Sequence, residues 1–205
     1  YREKGITVLA GESVDDVTRQ GSKQVVITGS GNRLVFDRIV AGIGLIPNIG
    51  LAQKAGLKIE NGIWVDENLQ TSAADIYAAG DVANFYNPLL GRRLRLEHED
   101  CANSMGKHAG RNMASEAPKP YTHLPFFYSD LFDLGYEAVG ELNPAADIVA
   151  DWSEEPYQKG VVYYLNNGRV RGVLLWNVWG KMDEARTLIG EEGPFEKKDL
   201  VGLIA

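Results

Sequence analysis

One carboxylate stands out by its setting. In Thr71-Ser72-Ala73-Ala74-Asp75-Ile76-Tyr77-Ala78-Ala79-Gly80-Asp81-Val82-Ala83, a run of small and apolar residues stops abruptly at Gly80-Asp81. Read as a strand, Ile76 to Ala79 delivers Asp81 at its C-terminal end, just after a glycine with no Cβ to obstruct a ligand. That is where ligands lie in open α/β sheets. As a bare dipeptide Gly80-Asp81 reads first as a turn in which the aspartate caps its own backbone. The surrounding residues favour the ligand-binding reading.

Other candidate groups are weaker. Gly29-Ser30-Gly31 and Gly42-Ile43-Gly44 look like starts of a phosphate-cradling G-x-G-x-x-G, but Leu34 and Pro47 occupy the third glycine position. Without three glycines the backbone cannot approach a pyrophosphate at a helix N-terminus. Cys101, at the start of a helix, is open to thiolate formation, yet a lone helical cysteine is first of all a small hydrophobe. His108 and His123 read as surface residues. No catalytic acid or base is assigned, and no metal-ligand set is read.

Composition sets the outer bounds. The 205 residues carry 21 Lys plus Arg against 28 Asp plus Glu, a formal charge of -7, and a single cysteine. This is a globular composition. One cysteine excludes an intramolecular disulfide and a Cys-rich zinc site, so a reducing compartment, the cytoplasm, is expected. The acidic balance and the lack of a basic stripe argue against a nucleic-acid partner. The longest uncharged apolar stretch, Ile39 to Ala52, is broken by Pro47 and Asn48 and is too short for a membrane span.

The elements that must position Asp81 follow from pattern. Strands are expected at Ile6 to Leu9, Gln24 to Thr28, Arg33 to Phe36 and Ile39 to Gly44, with Gly29-Ser30-Gly31-Asn32 turning a hairpin. A short helix runs from Pro47-Asn48 through Ala55 and closes at Gly56. Ile63 to Val65 and Ile76 to Ala79 read as further strands, and a polar loop follows. Ala102, Met105, Ala109 and Met113 recur at spacings of three, four and four, which predicts a helix from about His98 to Ala114. Pro118 and Pro120 close it and mark a boundary. Beyond them, strands at Tyr136 to Val139, Ile148 to Trp152, Val161 to Leu165 and Val170 to Trp176 precede a helix with Met182, Ala185, Leu188 and Ile189 on one side. That order predicts an α+β unit around an antiparallel sheet. Trp176, Trp179, Tyr163 and Tyr164 read as core, or as a docking surface or electron path.

Several segments in order resemble the flavin-dependent pyridine-nucleotide reductases: Gly42-Ile43-Gly44-Leu45-Ile46-Pro47-Asn48, Gly62-Ile63-Trp64-Val65-Asp66, Leu69-Gln70-Thr71-Ser72 and Ile76-Tyr77-Ala78-Ala79-Gly80-Asp81. Arg95-Leu96-Glu97-His98, Pro125-Phe126-Phe127-Tyr128-Ser129-Asp130 and Gly172-Val173-Leu174-Leu175-Trp176-Asn177 are similar to the ferredoxin-reductase and apoptosis-inducing-factor branch. The resemblance implies FAD and NAD(P)H as cofactors, with Gly80 and Asp81 at the ribityl chain and Glu97 and His98 near the flavin ring. Tyr128 stands where the family usually has tryptophan beside the flavin. A helix N-terminus directed at the flavin would stabilise negative charge on its reduced form. Read alone, His98 is equally a solvated residue in the acidic run Glu97-His98-Glu99-Asp100.

The resemblance also implies an organisation. The fold is expected to be an α/β remnant of FAD- and NAD(P)H-binding Rossmann-type domains, followed by an α+β C-terminal domain with an antiparallel sheet. Residues 1–47 would end the NAD(P)H-binding domain, 48–118 would be the returning segment of the FAD-binding domain, and 119–205 the interface domain. A protein with two dinucleotide sites needs roughly twice this length, so the chain is expected to be the C-terminal portion of an oxidoreductase, inactive alone. Its partners would be a redox acceptor protein or small-molecule acceptor and, through exposed strand edges, further copies of itself. The rival reading is a flavin-free interaction or dimerisation module, and the mitochondrion is the alternative compartment.

Overall fold

The computed structural model describes residues 1–153 and 157–204. The chain divides into two compact units, Tyr1–Ile46 and Pro47 onward.

The first unit is a three-stranded antiparallel meander of β1 (Val14–Gln20), β2 (Lys23–Thr28) and β3 (Arg33–Phe36) in the order β1-β2-β3. The predicted hairpin is present, with Gly31 at φ +83° and its N–H donating to the Thr28 carbonyl at 2.8 Å. Two expectations fail. Ile6 to Leu9 forms no strand, and β1 forms in a polar stretch that carried no strand signal. Ile39 to Gly44 is also irregular, with Val40 97% and Ile43 92% exposed. A buried parallel strand exists only when neighbours flank it, and no described strand of this chain pairs with that run.

The second unit begins with a short helix, α1 (Gly50–Lys54), and Gly56 follows it at φ +71°. β4 (Ile63–Trp64) runs parallel to β5 (Ala83–Asn87), which pairs antiparallel with β6 (Arg92–Leu94). The β5–β6 hairpin lies where a polar loop was expected. Its polar residues are used inside: Arg93 donates to Asn84 Oδ1 at 2.7 Å, to the Val65 carbonyl at 2.7 Å and to the Asn84 carbonyl. Ile76 to Ala79 is an extended segment with one isolated bridge, Gln70 to Tyr77, in place of the predicted strand.

Helix α2 (Glu99–Met113) falls where the periodicity places it. Its buried face is rotated from the expected one, being Cys101, Met105, Ala109 and Asn112, with Ala102 and Met113 exposed. Then come β7 (Phe126–Leu131), β8 (Leu134–Gly140), β9 (Asp147–Trp152), β10 (Gly160–Asn166) and β11 (Arg169–Trp176), an antiparallel sheet in the order β7-β8-β11-β10-β9. Helix α3 (Met182–Gly190) packs on β8 and β11, burying Ala185, Leu188 and Ile189, and α4 (Lys197–Leu200) follows it. β7 is an addition to the four predicted strands. One apolar core runs from Val65 through Met105 and Tyr163 to Ile204, spanning both sides of Pro118. No helix among the described residues is long and apolar enough to cross a membrane.

Candidate functional site

Gly80–Val82 forms a single 3-10 turn, entered through Gly80 at φ +76°, a left-handed conformation that glycine adopts without steric cost. A Cβ on Gly80 would stand 3.4 Å from the Cβ of Ala102, so the turn rests against the start of α2. Arg95 locks it there. Its Nη1 donates to the Asp81 carbonyl at 3.0 Å, its Nε donates to Asn61 Oδ1 at 3.3 Å, and its Nη2 pairs with Glu97 at 2.9 Å. Gly62 makes room for this strut: at φ +107°, a Cβ there would lie 2.8 Å from Arg95 Cδ and 2.5 Å from the Val82 carbonyl.

His98 precedes the first turn of α2 with extended backbone, and its imidazole packs on the Phe127 ring at 4.7 Å between centroids. Glu97, His98, Phe127 and Tyr128, with Asp100 and Asn103, line a cavity of about 530 Å³ at the N-terminus of α2. Small-molecule sites typically occupy roughly 300–1,000 Å³. Three of the five sequence-predicted residues, Glu97, His98 and Tyr128, therefore share one cavity. Gly80 and Asp81 are outside its lining and join it through α2 and Arg95.

The electrostatics tie Asp81 to the same place. Burial draws the His98 imidazole below its usual pKa, while the charges of Asp81 first, then Asp100 and Glu97, oppose that shift. Nδ1 of His98 is buried without a hydrogen-bond partner among the described residues. An unsatisfied buried polar atom costs on the order of 1–3 kcal/mol. His98 is thus more than a solvated residue in an acidic run.

The sequence reading missed what supports the Phe127–Tyr128 wall. Asp100 Oδ2 lies 2.6 Å from His123 Nε2 and accepts from the Phe126 N–H at 3.2 Å and from Arg186 Nη2 at 3.4 Å. His123 is therefore a half-buried strut, not a free surface residue, and His108 Nε2 likewise lies 2.6 Å from the Lys119 carbonyl. No local signal marks these contacts, because Asp100 and Arg186 are far apart in sequence. Cys101 is fully buried, its thiol pushed up to about 12 by desolvation, which leaves packing as its role. The four aromatics form no single cluster: Tyr163 is fully buried, Trp176 stacks on Tyr136 at 5.9 Å, and Trp179 is half-exposed.

Residues 1–106 match the family described as pyridine nucleotide-disulphide oxidoreductase. The chain belongs to that family. As a member, it carries at residues 143–191 a match to the C-terminal region of mitochondrion-associated apoptosis-inducing factor. It is 37% identical over 201 residues to mitochondrial apoptosis-inducing factor 1 of Dictyostelium discoideum, covering 91% of this chain and 38% of that protein. It is 32% identical to putidaredoxin reductase of Pseudomonas putida, covering 96% of this chain and 47% of that protein. The crystal structure of a covalent putidaredoxin reductase–putidaredoxin complex superimposes with a TM-score of 0.83 at 31% identity, covering 96% of this chain and 48% of that one. The chain thus spans less than half the length of these relatives, and its fold is the mixed α/β fold with antiparallel sheets found in this reductase family.

The family is FAD- and NAD(P)H-dependent. The residues here fit a flavin on observations independent of that membership. A cavity of suitable size opens at a helix N-terminus, and aromatic rings line it.

Proposed function

We propose that this chain is the C-terminal portion of an FAD-dependent NAD(P)H oxidoreductase, and that the cavity at the start of α2 receives the flavin ring. A flavin held there would supply hydride acceptance from NAD(P)H and electron delivery to an acceptor. In this reading the Asp81 carboxylate accepts a hydrogen bond from a ribityl hydroxyl, and Gly80 admits the chain. The unpaired N–H groups and dipole of the first turn of α2 favour negative charge at the ring's pyrimidine end. His98 orients the ring, and Phe127 with Tyr128 shields it from water. These side chains bind and polarise, and none has to transfer a proton. The convergence of Glu97, His98 and Tyr128 on one cavity, with the charge of Asp81 acting on His98, carries the reading.

The organisation follows the same proposal: the end of an NAD(P)H-binding domain over residues 1–47, a returning FAD-domain segment over 48–118, and an interface domain from 119. A redox protein or a small molecule is the acceptor, and the exposed apolar faces of the first unit support self-association. A reducing compartment, cytoplasm or mitochondrion, suits a chain whose one cysteine is buried and free.

Flavin retention tests the proposal. In a polypeptide extended upstream to the length of the relatives, Asp81→Ala should lose flavin on gel filtration, whereas the 205-residue chain alone should retain none. Unchanged flavin in Asp81→Ala, with weakened capture of a protein partner, would favour the flavin-free interaction module.

A further inference from the structure

A second cavity, of about 460 Å³, lies between the β5–β6 hairpin and the loop that follows β8. Leu90, Leu94 and Leu124 form its buried floor, while Leu96 and Leu142 are its half-buried sides. Its rim is polar, with Arg92, Glu141, Asn143 and Asn166, and His98 borders it as well as the first cavity.

At the rim one carboxylate meets guanidinium groups from two strands. Glu141 is shared by two guanidinium groups: Arg92 Nη1 at 2.7 Å and Arg171 Nε at 3.2 Å. Arg171 reaches the hairpin through the carbonyls of Leu89 and Leu90, and Arg169 Nη2 also approaches the Leu89 carbonyl at 3.5 Å. Two arginines thus share one carboxylate, with Arg169 held on the neighbouring Leu89 carbonyl, in a chain of formal charge -7. Asp147 lines a separate hollow beside Arg171. Arg92 keeps 60% of its side chain exposed and has N–H groups to spare beyond its bond to Glu141.

We infer that this cavity is a binding site for a small carboxylate with an apolar body: the leucines take the body, and Arg92 at the rim takes the carboxylate. An apolar pocket with few convergent polar groups is the usual form of such a site, and a guanidinium pairs with a carboxylate through charge-assisted hydrogen bonds. The inference does not rest on the flavin reading, since the cavity is built entirely from residues of this chain and is tested without flavin.

The probe is 1-naphthoate, titrated into the 205-residue chain and followed by saturation-transfer NMR and by the ring-proton resonances of His98. Saturable binding that shifts His98 is expected. Arg92→Gln should weaken 1-naphthoate by about fivefold to tenfold while leaving the uncharged 1-naphthamide unchanged. Leu142→Trp, which fills the cavity from its side, should abolish binding of both, with circular dichroism showing that the variant is folded. Non-saturable binding, a His98 resonance that does not move, or equal loss of acid and amide in Arg92→Gln would overturn the site. If Leu142→Trp is unfolded, the Arg92→Gln comparison decides alone.

Discussion

The Asp100 carboxylate accepts the backbone N–H of Phe126 at 3.2 Å, fastening the first turn of α2 to the first residue of β7. Both walls of the candidate cavity depend on that bond, because β7 carries Phe127 and Tyr128 while α2 follows His98. Asp100→Asn keeps the shape and removes the charge that Arg186 and His123 face. With Asp100 only 22% exposed, a loss of about 1–3 kcal/mol is expected. Urea unfolding at neutral pH measures it, and a variant as stable as the parent contradicts the bracing role.

Stability should fall on mild acidification, and His98 should carry part of the fall. Its folded pKa lies below the unfolded value, so above about pH 6.5 both states hold the ring neutral and it contributes no pH dependence. As the pH drops through that value the unfolded chain takes up the proton first, and stability declines until the folded pKa is passed. Below that point the loss is constant. His98→Phe preserves an aromatic partner for Phe127 and should flatten this part of the profile, as read from urea midpoints at pH 7.5 and 5.5 (about one unit either side of the ordinary value).

Gly62→Ala should cost more than Gly80→Ala. Both positions have positive φ, which alone costs about 1 kcal/mol for alanine. At Gly80 the new methyl meets Ala102 Cβ at 3.4 Å, ordinary contact, whereas at Gly62 it meets the Val82 carbonyl at 2.5 Å. Thermal unfolding of the two variants ranks them, and the reverse order would contradict the strut built by Arg95.

Cys101 should be inert to thiol reagents in the native protein. It is fully buried, with its thiol pushed up to about 12 and its Sγ 3.4 Å from Met105 Sδ. A disulfide-exchange reagent at pH 8 (roughly the ordinary cysteine pKa) should label it only after urea is added. Stoichiometric labelling of the folded chain would show that α2 opens at its N-terminus.

Local pattern determined a good deal of this protein. The spacing of Met105 and Ala109 located α2, with the residue before it, His98, already a site candidate. Apolar runs bounded by turn residues located β8 to β11, and the ordered motifs around Gly80-Asp81 were enough to indicate the family. These features are encoded within a few residues of one another, where periodicity and turn chemistry act.

Tertiary structure decided the rest. Which face of α2 is buried depends on its neighbours: Asn112 replaces Met113 inside because its side chain holds the Asn68 and Lys119 carbonyls and the Lys119 N–H. The β5–β6 hairpin hid behind polar residues whose partners lie partly in other segments, as the Val65 carbonyl does for Arg93, and Ile39 to Gly44 looked like a strand but pairs with no described strand. The Asp100–His123–Arg186 brace joins residues up to 86 apart. Hydrogen bonds between distant segments leave no periodic trace along the chain, so the walls of the candidate cavity emerged only when the fold brought them together.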